Sequence, residues 1–119
     1  GRYQLTPLYD VLSAYPVLGQ GPGKLSSFKT KMAMAVRSKS AHWWMGEILR
    51  RHWQALGTRH GVVTEEGRAV RFLIDDVVAR TPDVIAAVRA RLPEQFPMSM
   101  ADAVLGGLQE AADRLAGPE

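Results

Sequence analysis

The spacing of apolar residues changes period once along the chain, near Leu49, and this change constrains the fold more than any other feature. Before it, apolar side chains alternate in short runs broken by Pro and Gly. Tyr3 and Leu5 flank Gln4 and precede Pro7, and Met32, Met34 and Val36 sit at every second position of Lys31 to Arg37. A period of two puts such residues on one face of a strand, and Pro7 ends its strand because it has no N–H for a ladder. Beyond the change, Leu49, Trp53, Leu56 and His60 recur at three- and four-residue steps, as do Val70, Leu73, Ile74, Val77 and Val78. That is the stripe of an amphipathic helix. The expected class is α+β and mostly helical, with a short strand, a glycine-rich loop and a β-hairpin in residues 1–48 and a four-helix cluster in residues 49–117.

Local signals set the expected limits of these elements. In the first half, Lys31 to Arg37 turns through Ser38-Lys39-Ser40 into His42-Trp43-Trp44-Met45 as a hairpin. Adjacent tryptophans in a strand point to opposite faces, so one is expected in the core and the other half exposed. Gly19-Gln20-Gly21-Pro22-Gly23 is a loop, and it lacks the glycine spacing of a phosphate-binding loop. The first helix runs from Leu49 to a glycine stop at Gly61, with Arg50, Arg51, Gln54 and Arg59 outward. Thr64 caps a second over Glu65 to Arg80, and Thr81-Pro82-Asp83 starts a third that ends at Pro93. Ser99-Met100-Ala101-Asp102 opens a fourth, with Val104, Leu108, Ala111 and Leu115 on its apolar side and Gly117-Pro118 as its stop. Gly106-Gly107 inside it should cost about 1 kcal/mol each relative to Ala, so close packing is expected there.

A chain of 119 residues is read as one domain, and 46% hydrophobic against 23% charged residues excludes wholesale disorder. With no Cys there are no disulfides and no thiolate metal sites, which suits a reducing cytoplasm. No apolar run has the length of a membrane span. His42, His52 and His60 lack metal-ligand spacing and read as structural, and no Gly-x-Ser-x-Gly elbow suggests a hydrolase. The net charge of +3 is unevenly spread: residues 24–71 carry ten Lys and Arg against three Glu, and residues 72–119 carry four Arg against eight acids. Such asymmetry points to the first half as the side that meets an anionic partner, with solvated helix faces the plainer alternative.

Asp10 follows the Tyr3-Gln4-Leu5-Thr6 strand and Pro7, amid Leu8, Tyr9, Val11 and Leu12. A carboxylate so flanked is partly desolvated and holds its charge best beside a cation, with Mg²⁺ a candidate; a turn or cap role, accepting backbone N–H groups, is the plainer alternative. Leu5-Thr6-Pro7-Leu8-Tyr9-Asp10-Val11-Leu12-Ser13, followed by Lys31-Met32-Ala33-Met34, resembles the C-terminal signature of HipA-type serine/threonine kinase toxins. By that resemblance Asp10 stands where the Asp-Phe-Gly aspartate of protein kinases binds Mg²⁺ against ATP. The resemblance also implies that the phosphate-binding loop, the lysine, the catalytic aspartate and the metal-binding asparagine lie upstream of Gly1. This chain contains no Asn. It is then expected to be the C-terminal part of a kinase, inactive alone and holding neither Mg²⁺ nor ATP tightly. Intact relatives phosphorylate a protein such as glutamyl-tRNA synthetase, join a HipB-like antitoxin on operator DNA, and work in the cytoplasm without a membrane.

A second reading comes from the charge. A small basic helical module could bind nucleic acid in its own right through Arg37 to Arg59, with Trp43 and Trp44 as aromatic surface. In either reading Arg37 and Lys39, at the hairpin turn, are the side chains expected to reach a phosphate backbone.

Overall fold

A computed structural model describes Pro7 and residues 11–117 of the chain. The expected strand over Tyr3 to Thr6, Asp10 and the stop at Pro118 lie outside the described residues. Within them the class is as the periodicity predicts, α+β and mostly helical: a two-stranded antiparallel sheet of β1 (Lys31–Arg37) and β2 (Ala41–Trp44), then helices α1 (Arg50–Arg59), α2 (Val70–Arg91) and α3 (Met98–Ala116).

The hairpin forms where the turn residues predict, but its alternation breaks. Lys31 pairs with Trp44, Val36 with His42 and Arg37 with Ala41, so Met32 to Ala35 lie opposite Trp43 alone. Such a bulge rotates the strand. Val36 is buried while Met34, expected on the same face, is 81% exposed. The glycine-rich loop upstream closes on itself, with Gly19 N–H donating to Leu25 O at 3.0 Å and Leu25 N–H to Val17 O at 2.8 Å.

α1 ends as predicted, with Gly61 at φ +65° in the left-handed region that lets the chain leave the helix. The Thr64 signal is used differently. Its hydroxyl accepts from Arg68 N–H at 3.1 Å, and Gly67 at φ +77° turns the chain back, so Thr64 to Arg68 is a closed turn and α2 begins only at Val70.

The expected four helices are three among the described residues, because the second and third are one helix that runs through Pro82. Proline removes one helix N–H, that of residue 82, and freed carbonyls inside a helix are tolerated where water can reach them. Pro82 is on the exposed side; Thr81 is buried, and its hydroxyl donates to Val77 O at 2.7 Å. The packing of α2 along α3, the most extensive between any two elements, outweighs the local break signal.

The core consists of Val36, Ile48, Val70, Ile74, Ala101, Leu105 and Ala112. On α3 the buried stripe is therefore Ala101, Leu105 and Ala112, not the Val104 and Leu108 side, and small residues there let α2 approach closely. Gly107 lies against the Tyr15 ring, where a Cβ would overlap it, while Gly106 faces open space. The close packing expected at the glycine pair is thus real for one of the two.

Candidate functional site

Six polar side chains gather where the hairpin turn meets the start of α1. This helix begins without a Ser, Thr, Asp or Asn cap, since Leu49 holds the cap position. Its first N–H groups need acceptors. His52 supplies one, Nδ1 accepting from Leu49 N–H at 3.1 Å while its backbone N–H donates back to Leu49 O at 3.0 Å. The bond assigns the neutral ring's proton to Nε2.

His42 comes from β2 and stacks on His52, with ring centroids 3.8 Å apart and planes 16° from parallel. Its Nε2 is 2.9 Å from Ser38 Oγ. Burial, followed by the nearby charges of His42 and Arg51, pushes the proton affinity of His52 below the usual imidazole value. Protonation would also put a hydrogen on Nδ1 and break the bond to Leu49. Around the pair, Ser38, Lys39, Ser40, Arg51 and Ala55 complete the walls of an open cleft of about 410 Å³. Among the described residues no carboxylate lines it.

The neighbouring arginines of α1 part company here. Arg50, expected outward, is 8% exposed: its Nη2 pairs with Asp75 of α2 at 2.6 Å and its Nη1 donates to Leu115 O of α3 at 3.0 Å. That carbonyl belongs to the last turn of α3, the negative end of the helix dipole. One buried guanidinium thus ties three helices together. Arg51 is exposed and lines the cleft instead.

Of the two predicted nucleic-acid contacts, Lys39 sits on the turn and lines this cleft, whereas Arg37 is exposed at the end of β1 and does not. The structure joins Lys39 to Arg51, His42 and His52. Sequence reasoning missed that grouping, although a histidine three residues after an uncapped helix start was a readable hint of a capping role. Trp43 is 40% exposed and Trp44 half-buried beneath Lys31, whose Nζ is 4.9 Å from the ring centroid, so neither tryptophan is a core residue.

Asp10, the metal and cofactor candidate, lies outside the described residues. Among the described residues no three His, Asp or Glu side chains are grouped to hold a metal ion, and no helix is long and apolar enough to cross a membrane. A second, apolar groove of about 520 Å³ lies between α1 and α2, walled by Trp53, Leu56, Val62, Val70, Leu73 and Val77. No protein-family model matches this chain.

Proposed function

We propose that this chain is the C-terminal part of a HipA-like serine/threonine kinase toxin, whose whole protein transfers the γ-phosphate of ATP to a protein of the glutamyl-tRNA synthetase type. The observation that carries the reading is the stretch Leu5 to Ser13 with Asp10 at its centre, followed by Lys31-Met32-Ala33-Met34. A mostly helical α+β arrangement with a hairpin after that stretch agrees with it. Asp10 is the residue this chain would give to Mg²⁺, and a carboxylate is the hard oxygen donor that ion takes. The bound ion would neutralise charge on the ATP phosphates. The remaining kinase groups must then come from residues outside this sequence, and so must the surface for a HipB-like antitoxin and its operator DNA if α1 to α3 do not supply it. The cytoplasm is the compartment this reading requires.

Radiolabel transfer from ATP tests the reading. The whole protein phosphorylates, its Asp10→Ala variant folds but loses the activity, and the 119-residue chain alone is inactive. Full activity in folded Asp10→Ala would return Asp10 to a turn residue.

One observation favours the other reading, a small basic module that binds nucleic acid. Among the described residues, ion pairs join Arg50, Arg68, Arg80 and Arg89 to carboxylates, and none engages Arg37, Lys39 or Arg51. Fluorescence anisotropy with duplex DNA at two salt concentrations separates the two. The module binds with steep salt dependence, and the kinase fragment does not bind.

A further inference from the structure

We propose that the cleft between the hairpin turn and α1 is a binding site for a phosphate group. Of the side chains it rests on, the kinase reading gives a role only to Lys39, and the inference holds whether or not that reading does. Its walls carry the Lys39 ammonium and the Arg51 guanidinium, the Ser38 and Ser40 hydroxyls, and the His42 and His52 rings. Among the described residues neither cation has an ion-pair partner and no acid lines the cleft. Burial first, and then the charges of His42 and Arg51, lower the proton affinity of His52, so its ring adds no fixed positive charge of its own.

Other occupants fit less well. A cation meets two fixed positive charges and, among the described residues, no carboxylate. A metal ion would need ring nitrogens converging on one point, but rings stacked 3.8 Å apart and 16° from parallel direct their in-plane lone pairs side by side. Ser38 and His42, 2.9 Å apart, look like a nucleophile and its base, yet no carboxylate among the lining residues orients the ring, which stacks on His52 instead. An apolar ligand would strip water from six polar side chains and return no hydrogen bonds. A phosphate group answers all of them. Its several oxygens accept from both walls at once, the serines and Lys39 from the turn side and Arg51 from α1, as charge-assisted hydrogen bonds. Arg51 and His52 also belong to the first turn of α1, whose dipole favours an anion.

The full chain, labelled with ¹⁵N, is titrated with inorganic phosphate at constant ionic strength, and separately with a short duplex DNA. The expected result is saturable shifts confined to Ser38 to Ser40, His42, Arg51 and His52. In the Lys39→Ala, Arg51→Gln double variant the phosphate dissociation constant rises by about tenfold or more, since the variant lacks two charge-assisted hydrogen-bond donors. Both residues are exposed, and the spectrum itself reports whether the variant is folded. If duplex DNA shifts the same residues at lower concentration, the phosphate comes from a nucleic-acid backbone. If inorganic phosphate alone does so, it comes from a small molecule. The proposal is overturned if phosphate acts no differently from chloride, if the double variant binds equally well, or if DNA shifts these residues and inorganic phosphate does not.

Discussion

Replacing Gly106 and Gly107 by alanine, one at a time, should change stability in opposite directions. Both sit inside α3, where alanine is favoured over glycine by about 1 kcal/mol through backbone entropy alone. At Gly106 nothing lies within 4 Å of the added Cβ, so the whole gain is expected. At Gly107 the Cβ would overlap Cγ, Cδ1 and Cδ2 of Tyr15. Those atoms are the root of the ring, and they cannot move aside without shifting the short 3₁₀ turn Tyr15–Val17. Overpacking of this kind costs about 1–3 kcal/mol, and a displaced Tyr15 also loses the bond from Arg114 Nη2 to its hydroxyl, 3.3 Å long. After the propensity gain is subtracted, Gly107→Ala should lose about 1–2 kcal/mol. The two variants then differ by about 2–3 kcal/mol, or about 10 °C in Tm for a chain of this size. Urea unfolding and thermal melts followed by circular dichroism measure the difference. Stabilisation by both substitutions would refute the packing of Tyr15 on α3, and destabilisation by Gly106→Ala would refute the open face.

The arginine pair offers a similar contrast: Arg50→Met should cost about 2 kcal/mol, less than a fully buried ion pair because Asp75 is half exposed, whereas Arg51→Ala should stay within about 0.5 kcal/mol in urea unfolding. The His52 proton affinity is lower folded than unfolded, so the unfolded chain takes up the extra proton. Stability is therefore full above the usual imidazole value of 6.5 and falls as pH drops below it towards the folded pKa. Urea midpoints measured across that range should show the loss, and His52→Gln should flatten it. If the chain is part of a HipA-like toxin that sits with its antitoxin on operator DNA, Arg37→Ala with Lys39→Ala should lower the slope of log affinity against log salt by about one for each phosphate no longer neutralised, with sequence preference and kinase activity unchanged. An unaltered slope would mean that these charges only solvate the turn.

Features written in short-range chemistry were legible in the amino-acid sequence. The turn at Ser38-Lys39-Ser40, the glycine loop and the end of α1 at Gly61 each depend on a few adjacent residues whose φ and ψ preferences are strong. The α+β, mostly helical class followed from the change of period, because burial of one face is needed whatever that face meets. Lys39 was marked by its place on a turn.

What needed the folded chain is everything set by partners distant along it. Pro82 carries a helix-start signal, and only the packing of α2 on α3 makes continuation cheaper than a break. Arg50 and Arg51 are indistinguishable in an amphipathic pattern. One becomes a buried tie because Asp75 and Leu115 O come within reach of it, and the other stays in solvent at the cleft. His42 and His52 belong to different periods, two and 3.6, and meet because a bulged strand and an uncapped helix turn towards each other. Backbone preference acts over a few residues, whereas the choice of buried face and of neighbouring charges is made by volume and electrostatics across the whole fold, and the cleft belongs to that second kind of cause.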